Sequence, residues 1–457
     1  MLTEQKDLLS QHDELDKDFV EKVEESPRAK ETLYIQEFTD GVLDPDEPFL
    51  GPLKDGGTII ANIAPGGWGP MVTPSILGSQ EVTVPVKVEG AEIGDAIAIE
   101  IRSIDVTSEA AVGGVAELHV DRFIGDPLLK VKCPGCGKLH PQTYVEIAGK
   151  ESIRCSTCQS GTAPMYITNG YTATFHKREQ IALTVSKDAA RKIANQANTY
   201  MHLPDESKQH PSVALNASDL QGALARTRPF IGEIGTVPSK RMPASYNAKD
   251  AEQKLLEARH RFTLTADDLS EHTTDGHLQI NTLREGAIII CPVKVNGGGV
   301  YLGDIRMMQG NGNIARQTAS VAGVIQLRVQ VLKKMDIDGP IILPNAEDLP
   351  FFAKPFSKDE RKLGRDIAED FGVKQIEETF PISVVGTGSD INEAIQNAIS
   401  RAAKLLKLSE DEVKNRATIS GDISIARLPG VVTLTAHFPK SILKKANLYK
   451  LLKKQYD

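Results

Sequence analysis

From residue 81 onward apolar and polar positions alternate. Val82, Val84, Val86 and Val88 fall between Glu81, Thr83, Pro85 and Lys87, the period of a half-buried strand. After the turn GAEIGD, Ile97, Ile99 and Ile101 alternate with Ala96, Ala98, Glu100 and Arg102. VIQLRVQVLKK (324–334) and GVVTLTAHF (430–438) read as strands in the same way. The string PVKVEGAEIGD (85–95) returns as PVKVNGGGVYLGD (292–304), which predicts related strand–turn–strand units in two β-halves, with their Gly-Asp turns in similar places. RPFIGEIGTVPSKRMPAS (228–245) mixes Gly, Pro and basic residues without a period and is expected to be a loop.

Helical signals lie mostly elsewhere. Residues 1–32 form a polar arm, expected to be helical up to Pro27, and a helix is expected from Ser186 to Tyr200. SKDERKLGRDIAEDFG opens on the capping box Ser357/Glu360 and stops at Gly372. Ile391, Ala394, Ile395, Ala398, Ile399 and Ala402 make an apolar stripe at helical spacing, and Ser409/Glu412 form a second box. The basic amphipathic tail SILKKANLYKLLKKQY is expected to pack on the body or on a second subunit. The fold class is therefore β-rich α+β: two related β-halves, C-terminal helices and an inserted module. The expected divisions are a polar helical arm (1–50), an N-terminal β-half (51–112), the insertion (113–227) and a C-terminal β-half with helices and tail (228–457).

Composition narrows the function. With 40% hydrophobic and 25% charged residues the chain is an ordinary globular protein, and its net charge of −8 argues against nucleic-acid binding. The N-terminus lacks the apolar stretch of roughly 7–15 residues that a secretory signal needs. No segment reaches the roughly 18 apolar residues of a membrane helix. A cytoplasmic protein is expected.

Four of the five cysteines sit in CPGC (Cys133, Cys136) and CSTC (Cys155, Cys158). This doubled spacing fits a zinc ribbon (133–158), a closed thiolate site that folds its module and leaves no position for substrate. One structural zinc per chain is expected, and no organic cofactor. Cys291, within AIIICPVKV, reads as a buried core thiol.

Several strings, taken in order, resemble the acetamidase/formamidase family. VTVPVKVEGAEIGDAIAIEI is similar to its G-P-V-x-V-E-G-A-E-P-G-D signature. FIGEIGTVPS resembles its I-G-V-I-G-x-A-P loop, and DGHLQINTLREGAIIICPVKV its G-G-N-L-D-I stretch. GDIRMMQGNGN is similar to G-D-x-H-A-A-Q-G-D-G-E, and ATISGDISIARLPGVVTLTAHFPKSIL to the closing segment. The resemblance implies a β-rich oligomer that hydrolyses short linear amides, with the Asp of G-G-N-L-D, the His of G-D-x-H, and the Asp and Glu of G-D-G-E as acid–base and metal-binding groups. Each is changed here: the Asp is Gln279, the His is Arg306, the last two are Asn311 and Asn313, and the Asn of G-G-N is His277. Carboxamides do not titrate, and a guanidinium has no lone pair for a metal.

Two readings follow. In one, chemistry is rebuilt from Asp304, His277, Arg306 and Asp275, with Gln279, Gln309, Asn311 and Asn313 binding a small, amide-like substrate that Arg306 would hold if it were anionic. In the other, the chain is a non-catalytic relative that binds a ligand, or a partner protein through the ribbon. The expected partners are a small-molecule substrate and further copies of the chain, without nucleic acid or membrane. His119 and Asp121 form an isolated HxD, and GGWG (66–69) is a second candidate lining.

Overall fold

The computed structural model describes residues 29–66, 69–178, 180–247, 249, 255–256, 261–271 and 274–456. The chain begins with β1 (Lys30–Ile35), β2 (Val42–Leu43), β3 (Leu50–Ile63), β4 (Val86–Val88) and β5 (Ala96–Val106). The next segment supplies β6 (Ala110–Leu118), β7 (Thr143–Val145), β8 (Ile153–Cys155), β9 (Met165–His176), β10 (Ile181–Thr184) and β11 (Leu224–Arg226). Then come β12 (Phe230–Thr236), β13 (Met242–Pro243), β14 (Ile288–Pro292), β15 (Val300–Arg306), β16 (Ser320–Val321), β17 (Gly323–Leu332) and β18 (Ile341–Leu343). Strands β19 (Thr379–Thr387), β20 (Gly421–Arg427) and β21 (Val431–Pro439) end the series.

Thirteen of these strands make one mixed sheet, in the order β12-β15-β4-β3-β17-β5-β14-β18-β19-β21-β20, with β1 on β3 and β16 on β15. Most neighbours are antiparallel; β3 runs parallel to β1 and β4. The architecture is β-rich α+β with few helices. Strands from both expected halves interleave in this single sheet. The recurring segments lie side by side: β5 pairs with β14 and β4 with β15, and the two turns clasp each other through Val88 N to Gly297 O (2.9 Å) and Val293 N to Asp95 O (3.0 Å).

The two Gly-Asp pairs nevertheless part company. Gly297, Gly298 and Gly299 all take positive φ, so the second turn closes early and Gly303-Asp304 falls inside β15. Asp95 stays in its turn, where it binds Lys333 at 2.7 Å.

Alternation survives as strand where nothing interrupts it, but Val82–Val84 fall outside β4 because Pro85 offers no N–H to a ladder. The expected loop over 228–245 contains β12, seven residues that are all buried. Residues 1–28 of the expected helical arm lie outside the described residues; from Lys30 that arm is extended, as β1 and β2.

The main core joins β3, β5, β14, β15 and β17 through Ile59, Ile63, Ile97, Ile99, Ile289, Ile305 and Leu327. A second cluster packs the helix Ile391–Leu406 on β19 and β21, and the tail docks there with Leu443, Leu448 and Leu452 buried. Both capping residues do what their spacing implies, Ser357 and Ser409 each accepting from the N–H three residues on. The expected 186–200 helix is capped by Ser186 but breaks at Gln196 into Lys187–Asn195 and Ala197–Met201. Strands β6, β9, β10 and β11 form a separate four-stranded sheet, so β6 crosses the expected boundary at 112–113. Among the described residues no helix is long and apolar enough to cross a membrane.

Candidate functional site

The site grows from the pairing of β12 with β15. Asp304 lies in β15 with φ +56°, a conformation that Asp tolerates better than most side chains. Opposite it in the ladder is Gly232, where an added Cβ would stand 2.5 Å from Asp304 Oδ2. Glycine there lets the carboxylate lie across the neighbouring strand. Asp304 accepts from Arg306 Nε at 2.7 Å and from Ser320 Oγ at 2.9 Å. Arg306, two residues along, is 1% exposed and also donates to Gln309 Oε1 (3.1 Å) and to Thr318. Its charge is met by a buried carboxylate.

A chain of carboxamides continues from there. Gln309 Nε2 donates to the Gln279 carbonyl at 2.9 Å, and the Gln279 and Asn313 side chains pair at 2.9 Å. The other end of Gln279 meets His277 Nε2 at 2.8 Å. His277 bridges to Glu233 of β12, with its Nδ1 3.7 Å from Glu233 Oε2, which also accepts from Gln80. Arg427 of β20 donates to the His277 carbonyl at 3.2 Å.

Burial pushes the Glu233 carboxyl up to about 8; the Asp304 charge adds to the rise, against Gln80, Arg427 and Arg306. Burial, with Arg427 and Arg306 nearby, holds His277 well below its ordinary range. At neutral pH a neutral carboxylic acid faces a neutral imidazole. Among the described residues, Glu233 Oε1, His277 Nδ1 and Asn313 Oδ1 are buried without a hydrogen-bond partner. Such atoms cost folding free energy and are the natural contacts for a small polar guest.

Six of the eight sequence candidates thus meet: Asp304, Arg306, His277, Gln279, Gln309 and Asn313. Asn311 is exposed and accepts from Asn281 at 2.9 Å, placing it on the rim. Asp275 is buried but engaged by Arg401 of the helix Ile391–Leu406 at 2.7 Å and by Thr387 at 3.0 Å, and among the described residues no hydrogen bond joins it to the carboxamide chain. His119, just past the end of β6, lies against Tyr166 of β9 with ring centroids 4.8 Å apart. Gly66 approaches Asp304, while Gly67 and Trp68 lie outside the described residues. The sequence reading missed Glu233, Gln80, Ser320 and Thr318. Glu233 had a signal: a short apolar run between Pro229 and Pro238 reads as a buried strand, in which a lone carboxyl is notable.

The donor set does not suit the divalent metal that the motif resemblance implies. Gln279 and Asn313 bind each other, Asn311 faces outward, and a fixed cation stands at 306. Among the described residues, the group that could hold a metal is Cys133, Cys136, Cys155 and Cys158, whose sulfurs all lie within 4.8 Å of one another. The two cysteine turns are built alike: Cys133 N donates to Lys138 O and Cys155 N to Ser160 O, both at 2.9 Å. Gly137 N and Gln159 N return to the carbonyls of Cys133 and Cys155, and both residues take positive φ. Two matching knuckles converging four sulfurs fit a tetrahedral thiolate centre.

The sequence profile of the Acetamidase/Formamidase family matches residues 69–445, most of the chain. The chain belongs to that family. Among solved structures, a recombinant predicted acetamidase/formamidase from Thermoanaerobacter tengcongensis is similar at TM-score 0.50 and 15% identity, covering 91% of this chain and 98% of its own. An acetamidase from Bacillus halodurans gives TM-score 0.49 at 16% identity, covering 91% and 99%. An acetamidase from Yersinia enterocolitica gives 0.49 at 14%, covering 91% and 94%. The first shows a shared fold. No curated protein matches the sequence.

Proposed function

We propose that this chain hydrolyses the C–N bond of a small, neutral, linear amide, releasing ammonia and a carboxylic acid. The family supports C–N hydrolysis in general. The observation that carries the narrower reading is the buried carboxamide chain at the motif positions, which ends in polar atoms without a partner among the described residues. Gln279 and Asn313 present both donors and acceptors, as a primary amide requires of its host. A neutral substrate is favoured because Asp304 already cancels the Arg306 charge. The Asp304–Arg306 pair fixes the site's floor, His277 exchanges protons, Gln309 ties the floor to Gln279, Asn311 shapes the rim, and Asp275 anchors the His277 segment through Arg401.

The four cysteines hold one zinc that folds the ribbon and does not contact substrate. The protein works as a homo-oligomer in the cytoplasm, where its thiols stay reduced.

Ammonia release from formamide, acetamide and propionamide tests the reading. Wild-type protein turns over at least one of them, and Asn313→Leu raises KM about tenfold through a lost hydrogen bond of about 1.4 kcal/mol. Binding of these amides without any ammonia would make the protein a non-catalytic relative.

A further inference from the structure

We propose that Glu233 is the proton-transferring carboxyl of this site, acting across the His277 imidazole in place of the acidic side chains that the family motif carries at positions 279, 311 and 313. The inference rests on the amide-hydrolase reading above and names the group that performs it.

Three observations converge on Glu233. The first is substitution. In FIGEIGTVPS the glutamate stands where the resembled motif has its first valine, while three motif acids have become Gln279, Asn311 and Asn313. Three acids are lost along the carboxamide chain and its rim, and one is gained on β12. The second is geometry. β12 pairs with β15 so that Glu233 lies opposite Gly303, and β12 bridges to His277 on its other edge. The third is valence. Gln80 holds Oε2, whereas Oε1 and His277 Nδ1 have no hydrogen-bond partner among the described residues. An apolar core position would tolerate valine at no such cost, so a buried, half-satisfied carboxyl calls for a function.

The 3.7 Å between Nδ1 and Oε2 is slightly too long for a hydrogen bond, and a small tightening brings the two groups within reach of direct proton transfer. Turning the Gln279 and Asn313 carboxamides end for end keeps both of their contacts. Gln279 then accepts from His277 Nε2–H, and Nδ1 keeps its lone pair. The resting pair thus holds one proton, on Glu233. Nδ1 removes a proton from water as the water oxygen bonds to the amide carbon and the carbonyl electron pair moves onto oxygen. When that oxygen re-forms its double bond, the C–N bond breaks and Glu233 gives its proton to the departing nitrogen. The proton on His277 returns to Glu233, leaving ammonia, a carboxylic acid and the pair as it began.

Charged and titratable groups around Glu233 are Asp304 and Arg306 on β15, Arg427 on β20, His277 itself and the Tyr301 hydroxyl. Burial outweighs the two guanidiniums, so the carboxyl stays protonated up to about pH 8. Activity should fall as pH rises through that value.

The test is ammonia release against pH for wild type, Glu233→Gln and Glu233→Asp, with zinc content and thermal unfolding measured on each. Glu233→Gln keeps its fold and lowers kcat about 100-fold or more, and its residual activity lacks the alkaline fall. Glu233→Asp, which keeps an acid on a shorter arm, retains more activity than Gln and keeps that fall; it carries the test if Gln disturbs folding. An active wild type with Glu233→Gln within a few-fold and an unchanged pH profile overturns the inference alone. A folded wild type that releases no ammonia from any amide overturns the hydrolase reading and the inference with it.

Discussion

Asp304 and Arg306, two residues apart on one strand, hold each other through Oδ2 and Nε at 2.7 Å with neither side chain more than 1% exposed. A pair this deep is costly to break from one side, because the survivor is left as an uncompensated buried charge. Arg306→Met is expected to lower stability by about 3–5 kcal/mol. Asp304→Asn combined with Arg306→Met should recover part of that loss. Urea denaturation of the two single variants and the double variant measures the coupling; equal and additive losses would mean that the two charges do not depend on each other.

Gly232 tests the same carboxylate from the facing strand. Gly232→Ala forces a Cβ to 2.5 Å from Asp304 Oδ2 and 2.9 Å from its carbonyl oxygen, and is expected to cost about 1–3 kcal/mol. Gly310→Ala, where an added Cβ meets nothing within 4 Å, serves as the control and should change little. Similar thermal unfolding of both variants would mean that the strand can give way at residue 232.

The buried Glu233 and His277 make stability depend on pH. Glu233 holds its proton up to about 8 when folded and releases it near 4.3 when unfolded. Across that window the unfolded state binds fewer protons, so stability falls as pH rises, by up to about 1.4 kcal/mol per unit. His277 stays neutral when folded but takes a proton below about 6.5 when unfolded, so its contribution is lost as pH falls. The two slopes oppose each other below about 6.5; from there to about 8 the Glu233 slope is isolated as the difference between wild type and Glu233→Gln, which share the ribbon thiols and every other titrating group. Between pH 6.5 and 8 the denaturation midpoint of wild type should decline relative to that of Glu233→Gln. Parallel declines would mean that Glu233 titrates normally.

Asp275 separates anchoring from chemistry. It is held by Arg401 and Thr387, away from the carboxamide chain. Asp275→Asn is therefore expected to lower stability by about 3 kcal/mol, since Arg401 loses its counter-charge, while kcat for an accepted amide stays within a few-fold. A large loss of kcat at unchanged stability would place Asp275 among the reacting groups.

Local chemistry was the part of this fold most legible in the sequence. Ser357 and Ser409 cap helices because a cap needs only its own next turn. The alternation at 96–102 and 324–332 survives as β5 and β17 because each strand sits in the sheet with buried isoleucines, leucines and valines on one side. One short motif brings Asp304, Arg306, Gln309 and Asn313 near one another, although Asn311 of the same motif faces outward. What failed depended on distant partners. Asp275 meets Arg401 more than a hundred residues on, and no local pattern announces that ion pair. Glu233 was hidden because a strand buried on both faces has no period, and its glycines and flanking prolines mimic a loop. The second Gly-Asp missed its expected place because three consecutive glycines shorten the turn before it.

Counting metal in the purified, active protein tests most directly the claim that this member of the family works from a rebuilt proton-transfer centre. Zinc, manganese, iron and other divalent ions are quantified per chain in wild type and in Cys133→Ser/Cys136→Ser, with ammonia release followed in the same samples. The account predicts one zinc per wild-type chain, lost with the two cysteines, and no second equivalent that tracks activity. A second divalent ion retained in the cysteine variant, whose removal abolishes turnover and whose return restores it, would contradict it.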